Sequence, residues 1–230
     1  MNNICIIPAR SGSKRIKNKN IKNFFGKPII YWTIKAAIKS KCFSKVIVST
    51  DSNKILNLSK KYGAAENELR PKKLSKDKSS MDDAIKYEIF KENKKKKVDN
   101  VCCMVATSPL IDPNDIKNSF RILKKKKGDY VFSVTTYDAP IQRYFFLDKK
   151  GFLIKRKMRN LDKGSQELKK AYHDAGQFYW ASFKKFSSKI HIYNGKSLAY
   201  FIPSFRSIDI NEVEDWKKAE AMFKIFKKLK

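Results

Sequence analysis

Residues 4–20 read ICIIPARSGSKRIKNKN, an apolar run followed at once by a basic loop rich in small side chains. The run 4–7 predicts a buried strand, because it is short, apolar and ends at Pro8. Small residues in the loop let the backbone come close to a ligand. Four cations stand out in the loop as candidate phosphate ligands: Arg10, Lys14, Arg15 and Lys19. Since ligands of open α/β sheets bind beyond the carboxyl ends of the strands, this stretch predicts a polyphosphate cradle.

The loop lacks the glycine spacing of two common phosphate-binding motifs. Neither Gly-x-x-x-x-Gly-Lys nor Gly-x-Gly-x-x-Gly occurs in it, so a kinase-type P-loop and a dinucleotide fingerprint are both disfavoured. An ordinary basic surface turn stays open as an alternative, because such turns are common.

Strand and helix patterns alternate through the first 135 residues. Three later apolar runs predict strands: 45–49, 101–105 and 130–135. Helical spacing and start signals predict helices between and after them: 30–38, 54–62, about 80–92 and one from Pro113. Ser79 with Asp82 is the expected N-cap pair of the third helix. This order predicts an α/β fold, with a mostly parallel, Rossmann-like sheet covered by helices on both faces.

The pattern changes after residue 138. Residues 138–172 are polar with scattered aromatic side chains, and we interpret them as a small inserted arm within a single domain, 1–230. Four aromatic residues of the arm need burial, on their own domain or against a partner: Tyr144, Phe145, Phe146 and Phe152. Short strands are expected at 178–180 and 198–202. A final helix is expected to bury an apolar face: Val213, Trp216, Ala219, Phe223 and Phe226.

The net charge is +30, from 52 Lys and Arg against 22 Asp and Glu. Of the basic residues 44 are Lys and 8 are Arg, whereas base-edge readers and phosphate clamps favour the planar fork of Arg. We therefore interpret the charge as a solvated lysine surface and expect no nucleic-acid partner. A nucleic-acid groove, the remote alternative, would show aromatic rings stacked among the cations.

Neither a membrane nor an oxidising compartment is indicated. No run of about 18 apolar residues occurs, and the apolar stretch after Met1 is too short for a signal peptide. The four cysteines lack zinc-type spacing. We expect a cytoplasmic protein with reduced thiols and no membrane partner.

Several motifs resemble those of one known family in both order and spacing. The basic loop reads Ala-Arg-x-x-Ser-Lys from Ala9, with Lys19-Asn20 following. Four later segments continue the match: 48–52, Leu69-Arg70-Pro71, Thr107-Ser108-Pro109-Leu110 and Asp209-Ile210. Together they resemble the acylneuraminate cytidylyltransferases, which make CMP-activated nonulosonic acids. The resemblance covers nearly the whole chain and implies CTP and a nine-carbon α-keto sugar acid as substrates, with Mg²⁺ as cofactor.

Two further stretches resemble the pseudaminic acid branch of this family, namely Pro140-Ile141-Gln142-Arg143 and residues 171–180 after Ser165-Gln166. Sialic acid members carry Asn-Gly or a similar pair where this chain has Asp174-Ala175-Gly176. They also carry Gln-Pro where it has Val105-Ala106. That Gln is associated with the sugar site of sialic acid members, so its absence counts against N-acetylneuraminic acid. Legionaminic acid, N-acetylneuraminic acid and a 3-deoxy-octulosonate stay open as alternatives.

The resemblance implies roles for residues of the basic loop and of two later loops. Arg10, Lys14 and Asp209 are the implied catalytic residues. The implied nucleotide-binding residues are Ala9, Arg10, Ser11, Ser13, Lys14, Lys19, Asn20, Arg70 and Thr107. For Arg70 the structural alternative is a loop-to-helix ion pair.

Asp209 and Asn211 are the candidate ligands of Mg²⁺. The family pattern is Asp-x-Asp, whereas this chain reads Asp209-Ile210-Asn211. An amide oxygen binds Mg²⁺ more weakly than a carboxylate, and Asn211 also suits the N-cap of the final helix, three residues before Glu214. The departure leaves an inactive family member as a further alternative.

The resemblance also implies residues for the site that binds the sugar acid. Arg143 is the expected partner of the sugar carboxylate, with Gln142 beside it, and His173, Asp174 and Gln177 are expected to read the other substituents. The arm resembles the segment that family members exchange in a homodimer. The implied product serves a bacterial flagellar or surface glycan.

Overall fold

The computed structural model describes residues 1–75, 80–154, 164–188 and 192–229. Ten strands lie in these ranges: β1 (Asn3–Pro8), β2 (Asn23–Phe24), β3 (Lys27–Pro28), β4 (Lys45–Ser49), β5 (Asn100–Met104), β6 (Tyr130–Thr136), β7 (Phe146–Leu147), β8 (Leu153–Ile154), β9 (Tyr172–Ser182) and β10 (Ser197–Phe201). The helices of the same ranges, apart from short 3-10 turns, are α1 (Ile29–Ser40), α2 (Asn53–Lys61), α3 (Met81–Lys95), α4 (Pro113–Lys125), α5 (Phe183–Phe186) and α6 (Val213–Lys228).

The central sheet has six strands in the order β10-β6-β9-β5-β1-β4. β1 runs parallel to β4 and β5, and β10 runs parallel to β6. β9 runs antiparallel to both of its neighbours, β5 and β6. The predicted α/β fold with a mostly parallel sheet is therefore confirmed. The reversed β9 brings its first residues to the edge where β1 and β5 end.

Alternation along the buried strands supplies two apolar faces. Cys5 and Ile7 of β1 face α1 and α4, whereas Ile4 and Ile6 face α3. On the first face, the Trp180 ring stacks between Phe43 and Phe120, and its centroid lies 5.0 and 4.7 Å from theirs. Such stacked rings combine large buried area with a specific geometry, which fixes β9 against α4 and the segment after α1.

A third apolar cluster docks the end of the chain beside the basic loop. Phe24, just beyond the loop, packs edge-on against Trp216 and Phe223 of α6 at 5.5 and 5.2 Å. The β2–β3 hairpin presents Phe24 through a tight turn in which Phe25 and Gly26 both have positive φ, as a two-residue type I′ turn requires. This packing holds residues 209–211, which precede α6, against the loop.

Two predicted helix starts are wrong by one residue. α3 begins with a capping box of Ser80 and Asp83, not Ser79 and Asp82, and it ends at Lys95 rather than near residue 92. Ser79 itself lies outside the described residues. The sequence offers two adjacent serines and two adjacent aspartates, so spacing alone does not separate the two registers.

The start of α6 is also corrected. Glu212 and Asp215 form its capping box, so Asn211 is not the N-cap. Val213 has 54% of its surface exposed, whereas Trp216, Ala219, Phe223 and Phe226 are buried as predicted. The other residues of the first turn, Glu214 and Asp215, are exposed or partly exposed as well. The segment before it, residues 207–211, forms neither a strand nor a helix.

The inserted arm contains one two-stranded hairpin, β7–β8, and short 3-10 turns, and its residues 155–163 lie outside the described residues. The strand after it begins at Tyr172 and not near residue 178. Gly176, at φ +64°, sits where the register of β9 with β6 shifts, and this bulge hides the period-two pattern in the sequence.

Within the described ranges, no helix is both long and apolar enough to cross a bilayer. Cys5, Cys102 and Cys103 are buried free thiols and Cys42 is a partly buried one. Burial raises the pKa of all four thiols, so they stay protonated at neutral pH.

Candidate active site

A cavity of about 410 Å³ opens at the carboxyl edge of the sheet, between the basic loop, the segment after β5 and the segment before α6. Its lining brings together seven of the residues predicted from the sequence: Arg10, Ser13, Lys14, Lys19, Asn20, Thr107 and Asn211. Arg15 lines it as well, so the cavity carries four cations. A cationic concavity at this edge suits a polyphosphate.

Backbone and side-chain hydrogen bonds hold the loop in shape. The Ala9 N–H donates to the Ser49 carbonyl at 2.8 Å, and the Ala9 side chain lies in the core. Asn20 Nδ2 donates to the Arg10 carbonyl at 2.8 Å and closes the loop from its far end. Ala9 and Asn20 were both predicted to bind nucleotide. Their hydrogen bonds in the structure stabilise the conformation of the loop.

Lys19 joins the loop to the end of the chain. Its Nζ donates to the Ile210 carbonyl at 2.5 Å. Burial lowers the pKa of Lys19, and the nearby guanidinium groups of Arg15 and Arg10 lower it further, whereas Asp209 opposes them. An anion in the cavity would relieve this repulsion, because an opposite charge favours the protonated amine.

Arg15 bridges the loop to the segment that holds the candidate metal ligands. Its guanidinium donates to Asn211 Oδ1 at 2.8 Å and to Glu212 Oε1 at 3.0 Å. Asn211 Nδ2 in turn donates to Asp209 Oδ2 at 2.6 Å. The sequence identified Arg15 as a cation of the loop but gave no sign of this bridge, which joins residues almost 200 positions apart.

The donor set near Asp209 fits Mg²⁺ through one carboxylate. Mg²⁺ keeps several waters and needs only one or two protein oxygens, and Asp209 is an exposed carboxylate beside the cationic cavity. The amide oxygen of Asn211 accepts from the Arg15 guanidinium, so in this arrangement it is not directed at a metal ion. Among the described residues no group of three or more His, Cys, Asp or Glu could form a fuller site.

Arg70 lies buried behind the loop, with 5% of its surface exposed. Its Nε donates to Ser75 Oγ at 2.9 Å, and its N–H donates to the Thr50 carbonyl at 2.8 Å. Burial lowers the pKa of Arg70, the charges of Asp51 and Glu88 oppose that shift, and Arg10 adds to it. Arg70 is therefore a neighbour of the loop at the same edge, although it does not line the described cavity.

The five predicted sugar-binding residues lie outside the lining of this cavity in the described part of the chain. Asp174 accepts from the hydroxyls of Tyr179 and Tyr193 at 2.8 and 2.6 Å, and from the Gly176 N–H at 2.8 Å. Burial, together with the hydrogen bond to Asp174, raises the pKa of Tyr193 to about 12. Asp174 thus organises the bulge of β9.

The remaining sugar candidates lie on two elements: His173 and Gln177 on β9, and Gln142 and Arg143 on the arm. Gln177 is 2% exposed and its Nε2 donates to the Arg206 carbonyl at 2.6 Å. The His173 ring packs on Tyr137 at 4.8 Å between centroids. Gln142 Nε2 donates to the Lys169 carbonyl at 2.7 Å, and Arg143 lies exposed beside it.

A second cavity, of about 270 Å³, lies on the α3 face of the sheet. Its walls are mostly apolar and aromatic, and the one cation in its described lining, Lys86, pairs with Asp82 at 2.7 Å. A triphosphate needs several cations, so this cavity does not suit the phosphate end of a nucleotide.

Comparison with known proteins agrees with the cationic cavity. Residues 4–191 match the family model described as cytidylyltransferase. The chain is 35% identical to pseudaminic acid cytidylyltransferase of Campylobacter jejuni, over 98% of this chain and 97% of that protein. It is 31% identical to CMP-N,N'-diacetyllegionaminic acid synthase of Legionella pneumophila, over 96% of each chain. A solved structure, CMP:2-keto-3-deoxy-manno-octonic acid synthetase complexed with CTP, shares the fold at a TM-score of 0.71 with 14% identity, over 98% of this chain and 99% of that one.

The chain is thus a nucleotidyltransferase-like α/β protein with a cationic site at the carboxyl edge of its sheet. It belongs to the cytidylyltransferase family. The resemblance found in the motifs from Ala9 to Ile210 is confirmed at that level.

Proposed function

We propose that the chain transfers CMP from CTP to a nonulosonic acid, most specifically pseudaminic acid, and releases pyrophosphate. The observation that carries this proposal is the cationic cavity, built from the same motifs that resemble the family. The relatives named for pseudaminic acid support that sugar, and the match to a legionaminic acid synthase keeps legionaminic acid as the second candidate.

The proposed reaction is attack of the anomeric hydroxyl of the sugar on the α-phosphorus of CTP. Negative charge grows on the phosphoryl oxygens, and fixed cations stabilise such charge more in the transition state than in the ground state. Arg10 and Lys14 project into the cavity from one turn and are the proposed partners of the triphosphate. Lys19, held by the Ile210 carbonyl, adds a third charge with little freedom to move.

Mg²⁺ is the proposed cofactor, with Asp209 as its protein ligand. When bound, the ion supplies charge neutralisation for the phosphate oxygens. The residues of the chain then have the task of holding the Asp209 carboxylate, which the Asn211 side-chain amide does through Oδ2.

The proposed sugar site needs a second copy of the chain. Arg143 is the proposed partner of the sugar carboxylate, and it lies on the arm beside exposed apolar side chains such as Phe146 and Phe152, with 52% and 68% exposed. An exposed apolar hairpin of this kind marks an interaction surface. A homodimer in which each arm covers the partner's site would bury it and bring Arg143 to a substrate.

The proposed product is a CMP-sugar made in the cytoplasm for a bacterial flagellar or surface glycan. The lysine-rich surface has no part in this reaction beyond attracting anionic substrates.

Pyrophosphate release tests the proposed function. The assay contains CTP, Mg²⁺ and one of three sugars: pseudaminic, legionaminic or N-acetylneuraminic acid. We expect release with pseudaminic acid and none when the divalent cation is removed by chelation. Release with legionaminic acid instead would keep the reaction and change the sugar. Absence of release with every sugar, in a protein that still binds CTP, would favour an inactive family member.

A further inference from the structure

Asp51 contacts the basic loop through both of its carboxylate oxygens. It follows β4, at the carboxyl edge where β1 also ends. Its Oδ1 accepts from the Ser11 N–H at 2.8 Å and its Oδ2 accepts from the Ser11 hydroxyl at 3.0 Å. A charged acceptor makes these hydrogen bonds shorter and stronger than those of a neutral group.

The hydrogen bonds to Asp51 also restrict the residues next to Ser11 in the loop. The Ser11 carbonyl accepts from the Ser13 N–H at 2.9 Å, so Ser11 is held on both sides. Arg10 precedes Ser11, and Ser13 and Lys14 follow it, and all three line the cationic cavity. A fixed Ser11 therefore fixes the directions from which these side chains enter the cavity.

The negative charge of Asp51 also acts on the cations around the loop. Residues 1–50 contain 11 Lys and Arg and no Asp or Glu, so Asp51 is the first carboxylate of the chain. It counteracts the lowering of the pKa of Arg70, which burial causes and Arg10 increases. A carboxylate in this place offsets repulsion among the cations before an anion arrives.

We propose that Asp51 is a positioning residue for the triphosphate, acting through Ser11. This inference rests on the proposed function, because it assumes that the loop binds the phosphates of CTP. Asp51 would not touch the nucleotide. Its effect is to order the loop beforehand, so that CTP does not have to immobilise it on binding.

Calorimetric titration with CTP and with CMP tests the inference in a form that does not need the sugar. Asp51→Ala removes both hydrogen bonds, and we expect the Kd for CTP to rise about tenfold or more. The Kd for CMP should rise less, because CMP lacks the β- and γ-phosphates. Asp51→Asn can still accept from the Ser11 N–H and donate to its hydroxyl, so we expect its Kd for CTP to stay within about threefold of the unchanged protein.

Asp99→Ala is the matched control. Asp99 also accepts a backbone N–H through its carboxylate, from Asn2 at 2.7 Å, but it lies at the opposite edge of the sheet, before β5. We expect its Kd for CTP to be unchanged. Thermal unfolding of every variant separates loss of folded protein from loss of binding.

Ser11→Ala separates positioning from direct contact. In the unchanged protein it should weaken CTP binding by about threefold, since one of the two hydrogen bonds is lost. In the Asp51→Ala background it should change the Kd by less than twofold, because both substitutions remove the same contact. Equal losses in the two backgrounds would mean that Ser11 binds the nucleotide by itself.

Besides equal losses for Ser11→Ala in the two backgrounds, three results would overturn the inference while leaving the proposed function in place: unchanged CTP binding in Asp51→Ala, tighter binding in both Asp51 variants, or the same loss for CTP and CMP. Tighter binding would show that Asp51 acts only as an opposing charge. Failure of the unchanged protein to bind CTP would instead refute the proposed function and, with it, the inference.

Discussion

The basic loop and the residues predicted to bind the sugar differ in whether a single copy of the chain brings their side chains together. The loop is held by Ser49, by Asp51, by the Ile210 carbonyl and, through Arg15, by Asn211. Four of its cations converge on one cavity. The sugar candidates are spread over β9 and an exposed arm, and those on β9 make their hydrogen bonds within the protein.

On the proposed function, one chain forms the nucleotide half of the site, and the proposed homodimer completes the sugar half. The arm exposes Phe146, Leu147, Phe152 and Leu153, each with half or more of its surface in solvent. A covered sugar site and a covered arm would arise together in a homodimer. The predictions below test each half separately.

The largest effect is expected from charges on the arm. Phe146→Asp combined with Phe152→Asp places two carboxylates on the apolar hairpin, and we expect the dimer Kd to rise at least 100-fold, because central apolar contacts dominate such interfaces. Light scattering across a dilution series measures the mass. Leu229→Asp, at an exposed apolar residue at the end of α6, is the control and should leave the mass unchanged. A monomer mass for the unchanged protein would contradict the dimer.

The next effect concerns a single cation of the loop. We expect Lys14→Ala to lower kcat/KM for CTP by about 100-fold, since it removes a proposed charge-assisted contact to the phosphates. Lys17→Ala is the matched control, because Lys17 belongs to the same loop but lines another surface cavity. Equal losses in the two variants would show that general positive charge, and not position, matters.

A smaller effect is expected at Asn211. Its oxygen accepts from Arg15 and its amide donates to Asp209, so its proposed role is to hold these side chains together. We expect Asn211→Ala to lower the free energy of unfolding by about 1 kcal/mol. We also expect Asn211→Asp to leave the Mg²⁺ concentration for half-maximal activity within about twofold. A tenfold gain in Mg²⁺ affinity would instead assign a ligand role to this position.

The smallest effect concerns the cap of α6 and depends on pH. Hydrogen bonds from the N–H groups of Glu212 and Asn211 lower the pKa of Asp215 below its ordinary value. The cap therefore stabilises the protein above the ordinary pKa, near 4, and loses this effect as the pH falls through the lowered value. We expect Asp215→Ala to cost about 1 kcal/mol at pH 7 and progressively less below pH 4 in urea unfolding. Glu214→Ala, in the same turn, should cost little at either pH, and a constant cost for Asp215→Ala would contradict the cap.

The sequence predicted those parts of the fold that depend on local pattern. The strands near residues 45–49, 101–105 and 130–135 and the helix start at Pro113 follow from apolar runs and a fixed proline φ, and they are confirmed within a residue. β9 was recognised only at its end, because polar His173 and Asp174 and the bulge at Gly176 break the alternation.

In the candidate site, too, local features could be predicted from the sequence, whereas contacts between distant segments could not. Residues adjacent in sequence, such as Arg10 and Lys14, could be assigned to one loop from the sequence. The contacts of Ser11 with Asp51 and of Arg15 with Asn211 join distant segments, and no local signal encodes such pairs. For the same reason the helix cap at Glu212 and the internal hydrogen bonds of Asp174 and Gln177 came only from the structure.

The most direct test of the contrast between the two halves is calorimetry on the arm variant Phe146→Asp/Phe152→Asp in the presence of Mg²⁺. Titration with CTP should give the Kd of the unchanged protein within about threefold, whereas titration with pseudaminic acid in the presence of CMP should give no binding. Retention of sugar binding by a monomeric variant would contradict the account, since the sugar site would then lie within one chain. Loss of CTP binding in a folded variant would also contradict the account, since the nucleotide site would then depend on the second copy.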